Sequence, residues 1–339
     1  MIQNLAFSPE SWDNTIKLFA ISNKNGVCAK ISNYGAILTS LKLPLQNELR
    51  EVVLGFDSFE AYKSTAYLNH DPYFGGIIGR FANRINQGKV KIEGEEIQLP
   101  TNHGVHILHG GHTGFDKKIW NAKIIGESKL QLSLLSEDGD QNFPGNFKLT
   151  VIYELSEDNE LSIYYSATCD KVSPINLTSH SYFNFTGGQE NIMNHELQIE
   201  ADNILEFDKD LIPTGRYKSV ENTPFDFRHR KKISNNIKSV ENYDDCFVLK
   251  TEGEKVENVA ELFEETSNIR MEIFTDFPGL QVYTGKYINV EGDNKFGSFS
   301  GIALETQGFP DAPNHENFSH GFIHPGEVYE HQTRYKFYF

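Results

Sequence analysis

Basic residues are in short supply in this chain: 31 Lys and Arg stand against 47 Asp and Glu, a formal charge of −16. A surface of that sign repels a phosphate backbone or an anionic leaflet, so nucleic acid is not expected as a partner. Long apolar runs are missing as well. The first 20 residues carry Glu10, Asp13 and Lys17 with no apolar signal core, and no stretch is long enough to span a bilayer. The expectation is a soluble, non-exported, cytoplasmic protein without a membrane partner. Cysteine is scarce: Cys28, Cys169 and Cys246 are odd in number and widely spaced, which suits reduced thiols in a cytosol and excludes a disulfide framework. The Asn-x-Ser/Thr triplets at Asn176, Asn184 and Asn317 therefore carry no glycosylation meaning. Helical periodicity is nearly absent, with residues 58–62, N-capped by Ser58, and residues 231–237 the only helical stretches.

Strand grammar fills the rest. Apolar and β-branched residues alternate over residues 16–21 and 27–43 around Asn25-Gly26, a hairpin signal. The pattern recurs with Val90 and Ile92 facing Ile97 and Leu99 across Gly94, and with residues 120–125 facing 130–135 across Gly126. Residues 147–155 and 161–169 are joined by the polar turn Glu157-Asp158-Asn159. Further strands are expected at 197–201, 256–263, 269–275, 280–284 and 333–339. So many short strands imply an all-β fold, a large antiparallel β-sandwich. No linker, charge block or internal repeat divides it, so one domain over residues 1–339 is expected, and 339 residues suffice for a large core. The acidic patch at 252–265 reads as a solvated strand edge or loop.

Candidate chemistry concentrates in a few stretches. Ile302, Ala303 and Leu304 form a buried strand that delivers the carboxylate of Glu305 to a loop containing Gly308, Phe309, Pro310 and Pro313. A lone buried carboxylate has a raised pKa, so Glu305 is either a catalytic acid or base, or a structural partner of Arg80 or Arg84. Residues 174–185 read as a strand lining a site, with Asn176, Thr178, His180 and Tyr182 on one face. His103, His106, His109 and His112 follow at three-residue steps, which suggests metal ligation. The interspersed glycines forbid a helix that would align them, and no matching cysteine or paired carboxylate supports a metal. In His109-Gly110-Gly111 the glycines would let backbone approach a ligand, or the histidine is simply bonded within its loop. Asn83 and Arg84, with Arg80, suit forked hydrogen bonding of hydroxyls or a structural ion pair. Asp244 and Asp245 precede an apolar strand, where one could grip vicinal hydroxyls or cap a turn.

Taken together, Asn83-Arg84, Leu108-His109-Gly110-Gly111, His180-Ser181-Tyr182-Phe183-Asn184, Asp226-Phe227-Arg228, Tyr243-Asp244, residues 278–284 and Leu304-Glu305-Thr306-Gln307 resemble, in order, the motifs of the galactose mutarotase (aldose 1-epimerase) family. The resemblance covers essentially the whole chain. It implies a β-supersandwich with a shallow sugar cleft, no metal or redox cofactor, and interconversion of the α and β anomers of a free aldohexose such as galactose or glucose. By the same resemblance Glu305 is the general base at the C1 hydroxyl, His180 the general acid at the ring oxygen, and His109 a second imidazole near the ring. Asn83, Arg84, Tyr182, Asp244 and Gln281 would hold the hydroxyls. Two residues depart from the pattern: Asp245 stands where a histidine is common and would add negative charge near the cleft, and Phe185 stands where leucine is frequent.

The chemistry suits these residue types on its own account, since one carboxylate and one imidazole can share the proton transfers of hemiacetal opening near neutral pH. Glycoside hydrolysis or lysis wants two carboxylates flanking one bond, and only Glu305 is so mounted. A non-catalytic sugar-binding or sugar-sensing protein would not need a matched acid and base. A phosphosugar mutarotase would want further cations at the cleft.

Overall fold

In the computed structural model, residues 1–5, 15–46, 48–251, 255–319 and 321–339 are described. Glu10, Asp13 and the first residues of the acidic patch, 252–254, lie outside them. Three antiparallel sheets carry the architecture. A five-stranded meander runs in chain order from Ile2–Leu5 to Leu49–Glu51. A nine-stranded sheet places the C-terminal strand Tyr329–Tyr338 between Glu160–Cys169 and Ile269–Thr275. A six-stranded sheet orders Tyr182–Phe183, Ile302–Gln307, Gly279–Tyr283, Asp244–Val248, Asn203–Phe207 and Pro213–Ser219. This is the antiparallel β-sandwich expected from the alternating pattern. No helix among the described residues is long and apolar enough to cross a membrane.

Period two decides which residues reach the core and which reach the site. On the strand Ile302–Gln307, Ile302 and Leu304 enter the main apolar cluster together with Tyr335, Val151 and Leu161. Thr306 on the same face bonds the Thr333 hydroxyl of the nine-stranded sheet. Each buried aliphatic side chain contributes roughly 1.5–3 kcal/mol, so this face is anchored. Its opposite face then carries Ala303, Glu305 and Gln307. The strand continues two residues past Glu305, so the carboxylate projects from a fully buried strand rather than from its end.

Several expected elements fall where alternation put them: Phe147–Leu155 pairs with Glu160–Cys169, and Lys89–Ile92 pairs Val90 with Ile97 of Glu95–Gln98. Others are corrected. The run at 27–43 is two strands, Cys28–Ser32 and Leu38–Pro44, because Gly35 and Ala36 take φ of 64° and 49° and reverse the chain. Residues 257–264 form an interior strand, not an edge, flanked by Glu196–Ile199 and Ile269–Thr275, and Glu261 is paired with Arg230 and Arg270. Ser58 precedes the helix Phe59–Lys63 but makes no side-chain cap; its hydroxyl and amide bond Asp293 instead. A second helix, Thr65–His70, was not expected, and the helical stretch expected at 231–237 is instead the short strand Lys231–Lys232 followed by the helix Ser234–Val240.

Candidate active site

Segments from several parts of the chain cover the polar face of the six-stranded sheet. Residues 174–185 are not one strand: they make two-residue pairings at Ser173–Pro174, Thr178–Ser179 and Tyr182–Phe183, each with a different partner strand. Asn176 ties this segment to its surroundings. Its amide nitrogen donates to the carbonyls of Ala82 and Gly308 at 3.0 and 3.1 Å, and its oxygen accepts from Gly308 N at 2.7 Å. One carboxamide thus joins the loop bearing Asn83, the loop bearing His180 and the end of the Glu305 strand. Asn176 is a brace, and Thr178, also buried, does not line the site. His180 is held by its own backbone, with His180 N donating to Gly76 O and Gly75 N to His180 O, both at 2.9 Å.

These elements enclose a cavity of about 270 Å³ lined by Asn83, Arg84, His109, His180 and Tyr182, and by Asp244, Gln281 and Glu305. All eight site residues expected from the sequence therefore meet in one place. Glu305 Oε1 and His180 Nε2 are 3.5 Å apart. Gln281 lies opposite Glu305 in register and donates to Asp244 Oδ1 at 2.7 Å. Five buried polar atoms of lining residues have no protein partner: Asp71 Oδ1, Arg84 Nε, His180 Nδ1, Gln281 Oε1 and Glu305 Oε2. Buried polar groups are normally satisfied, so the cavity is built for a ligand rich in donors and acceptors. A larger hollow of about 510 Å³ beside Lys42, Glu51, Gly187 and Asn294 has no such unpartnered atoms among the described residues.

His109 is fixed by a reciprocal clasp. Asn83 N donates to His109 Nδ1 at 3.2 Å while His109 N donates to Asn83 O at 3.1 Å, and both residues are left-handed, with φ of 66° and 52°. Asparagine tolerates this conformation because its side chain bonds locally; here Asn83 Oδ1 accepts from Arg84 N at 2.8 Å. A ring nitrogen that accepts from an amide carries no proton, so the neutral His109 ring bears its hydrogen on Nε2 and presents a donor to the cavity. His109, His180 and Glu305 place possible ligand atoms within 4.8 Å of one another, a separation compatible with a metal ion. The tautomer of His109 does not fit one, since a metal at Nε2 would require the proton to move to the nitrogen already facing Asn83 N–H. The other spaced histidines are dispersed: His103 is exposed on the cavity rim, His106 accepts from Gln87 N at 3.1 Å, and His112 is exposed.

Burial sets the proton affinities. It raises the Glu305 carboxyl well above its ordinary value, with Asp244 adding to the effect and Arg84 opposing it. It lowers His180 to about 4. Burial also lowers His109 well below its usual range, reinforced by His180, Arg84, Lys117 and His103. Asp244 is raised by burial against the pull of Arg84 and the Gln281 hydrogen bond.

Some sequence expectations are corrected here. Arg80 is not a partner of Glu305; its guanidinium is buried among Pro144 O, Gly145 O, Ser136 and Ser173. Gly110 serves the fold rather than a ligand, because a Cβ there would meet Gly79 O at 2.0 Å. Asp226 and Arg228 form a forked ion pair away from the cavity. Asp245, one residue beyond Asp244 on a strand, is not among the cavity residues; burial raises its carboxyl to about 7. Phe185 packs in the core against His195 and Phe337. The sequence reading missed Tyr73, Tyr283 and Tyr287, all lining the cavity. Tyr73 had a signal, since Pro72 and Gly75-Gly76 around it mark a shaped turn.

Comparison with known proteins gives one consistent result. The model of the family described as Aldose 1-epimerase matches residues 17–336. The chain is 37% identical over 333 residues to the aldose 1-epimerase of Escherichia coli K12, covering 95% of each chain. It is 39% identical over 315 residues to the galactose mutarotase of Bos taurus, covering 91% of this chain and 90% of that one. Among solved structures, an aldose epimerase homologue from C. elegans superposes with a TM-score of 0.87 at 30% identity, covering 94% of this chain and 98% of that one. A galactose 1-epimerase from Lactobacillus acidophilus does so with 0.85 at 28%, covering 100% and 98%.

Proposed function

Since the chain belongs to the aldose 1-epimerase family and is an isomerase that interconverts the α and β anomers of aldoses, we propose that Glu305 and His180 are its proton-transfer pair. The observation that carries this assignment is their 3.5 Å separation in a cavity with unpartnered polar atoms. The two oxygens that exchange protons in a hemiacetal are bonded to the same carbon, so the base and the acid must be neighbours. Glycoside hydrolysis instead needs two carboxyl groups roughly 5–9.5 Å apart around one bond, and here the second carboxylate, Asp244, is engaged by Gln281.

In the active form the pair holds one proton, on His180. Glu305 takes the C1 hydroxyl proton as His180 delivers its own to the ring oxygen, the ring C–O bond breaks, and an open-chain aldehyde forms. Rotation about the C1–C2 bond presents the other carbonyl face. Closure returns the ring-hydroxyl proton to His180 and the Glu305 proton to O1, so the pair is regenerated. In the empty cavity burial favours the proton on Glu305; sugar hydroxyls and the Arg84 guanidinium restore the polar surroundings in which the carboxylate ionises. His109, with its Nε2–H fixed, is assigned as a hydrogen-bond donor to the sugar rather than a proton carrier. Arg84, Asp244 and Gln281 are assigned to the hydroxyls, with Tyr182 and Asn83 completing the wall.

The substrate in this reading is a free, unphosphorylated aldohexose such as galactose or glucose. Arg84 is the sole Lys or Arg among the described cavity residues, against Asp71, Asp244 and Glu305, which disfavours a phosphate. The chain acts as one domain over residues 1–339 in the cytoplasm, consistent with three cysteines in no disulfide. The test is polarimetry of freshly dissolved α-D-galactose and α-D-glucose with purified protein, with and without EDTA. Faster decay of rotation, unchanged by EDTA, is expected; no rate above buffer with any aldohexose refutes the reading.

A further inference from the structure

Behind one wall of the cavity lies a charged cluster that the proton transfers do not use. Beyond the helix Thr65–His70 the chain passes through Asp71 and Tyr73 in left-handed conformations, φ 43° and 59°, and both residues line the cavity. The Tyr73 ring packs edge-on against His109, with centroids 4.6 Å apart, and lies 5.6 Å from the His180 ring. It thus contacts both imidazoles at once. Over the same ring, 4.8 Å from its centroid, sits the ammonium of Lys117. That ammonium pairs with Asp71 Oδ2 at 2.8 Å and Asp116 Oδ2 at 3.2 Å. Lys117 itself is not a cavity residue.

With side chains 15%, 27% and 7% exposed for Lys117, Asp71 and Asp116, this is no solvated surface pair. Burying three charges carries a desolvation penalty that their attraction only partly returns, so stability alone is a weak reason for such a cluster. Its geometry has a clearer consequence. Lys117 arrives on the turn Phe115–Lys117, which is tied to the loop preceding Asn83 by Phe115 N donating to Gly79 O at 3.1 Å. The ion pair to Asp71 then fixes the backbone on which Tyr73 is mounted, while the ammonium over the ring resists its tilting away.

We propose that Lys117 is a positioning residue for the two imidazoles: paired with Asp71 and Asp116, it holds the Tyr73 ring against His109 and His180. The proposal deepens the acid–base reading and rests on it. The ammonium also contributes to the field at His109, where Arg84, His180 and His103 act in the same sense. Glu305 Oε1 lies 3.5 Å from His180 Nε2, and Asp244 lines the same cavity. Removing Lys117 frees Tyr73 and leaves the carboxylates of Asp71 and Asp116 unopposed beside it, so His109 should bind protons more readily.

The experiment compares wild type with Lys117→Met, Lys117→Arg and Tyr73→Leu. It reads kcat and KM for galactose by polarimetry from pH 5 to 9, and the imidazole nitrogens by ¹⁵N NMR. A 1 Å misplacement of a reacting group can cost about 100-fold, so Lys117→Met should lower kcat by about 10- to 100-fold while KM changes less than about threefold. Its acid limb should move to higher pH and its His109 and His180 nitrogen signals should shift. Lys117→Arg should restore kcat to within about threefold of wild type. Tyr73→Leu keeps the charges of Lys117, Asp71 and Asp116 while removing the ring and should reproduce the shifted imidazole signals, which keeps the test decisive if Lys117→Met does not fold. Unchanged imidazole signals and kcat in either folded variant would overturn the proposal. Absence of activity in wild type would refute the acid–base assignment instead, and the NMR arm would still report on the positions of the rings.

Discussion

The shared transition state of Glu305 and His180 is tested by removing each and then both. Glu305→Gln keeps the shape and loses the base; His180→Asn keeps a hydrogen-bonding side chain and loses the acid. Each general acid or base is typically worth about 10²–10⁴ in rate, which at 1.36 kcal/mol per tenfold is roughly 3–5.5 kcal/mol of barrier. The two groups are 3.5 Å apart and act on oxygens of one carbon, so their losses should not add. The double variant should be little slower than the worse single variant, a coupling of about 3 kcal/mol or more between them. The measurement is kcat/KM by polarimetry or by a coupled β-anomer-specific assay. Misfolding can be separated from chemistry by sign. Burial raises the Glu305 carboxyl, so its ionisation works against the folded state as pH rises above the unfolded carboxyl value. Glu305→Gln should therefore be at least as stable as wild type at pH 8 while losing activity. Fully additive losses would refute the shared transition state, and near-wild-type activity of Glu305→Gln would remove the carboxylate from the chemistry.

Asp244→Ala should raise KM and lower kcat/KM by binding and orientation, because its carboxylate is placed by Gln281 rather than beside the pair; unchanged efficiency in a folded variant would reduce Asp244 to a structural acid. Arg80→Met should destabilise the fold in urea unfolding without altering KM, since it leaves the carbonyls of Pro144 and Gly145 and the hydroxyls of Ser136 and Ser173 without that donor, at about 1–3 kcal/mol for a buried group left unsatisfied. A change in KM with no loss of stability would contradict that role. Acid should weaken the fold through His195, which is buried, accepts from Phe185 N at 2.9 Å and is lowered to about 4. Its neutral form belongs to the folded state, so stability is complete above the unfolded value near 6.5 and falls as pH drops towards 4. At pH 5 the loss is about 2 kcal/mol, and urea midpoints of wild type and His195→Gln should converge between pH 7 and 5; parallel curves would be inconsistent with it.

Much of this protein was written locally. The hairpin Phe147–Leu155 with Glu160–Cys169 was legible because alternation and its turn lie within one window, whereas Gly279–Tyr283 and Ile302–Gln307 were legible as strands but not as partners, since residues 284–301 separate them. Even the outward turn of Asp245 was available, since the neighbour of a cavity residue on a strand faces the other way. The site residues were legible as an ordered set of motifs, and the cavity gathers all eight.

What the chain alone could not decide were relations between segments distant in sequence. The 3.5 Å approach of Glu305 to His180 is supported by Asn176 joining the loops bearing Asn83 and His180 to the end of the Glu305 strand. The tautomer of His109 depends on a backbone N–H of Asn83 brought to its ring by two left-handed residues. Arg80 and Arg84 sit four positions apart with the same chemistry in sequence, yet one is enclosed by carbonyls and the other opens onto the cavity. Local patterning determines which face of a strand is apolar. The environment that gives a polar side chain its partner, its protonation and its task is supplied by whatever the tertiary fold packs against it, and a charge responds to neighbours that sequence spacing does not encode.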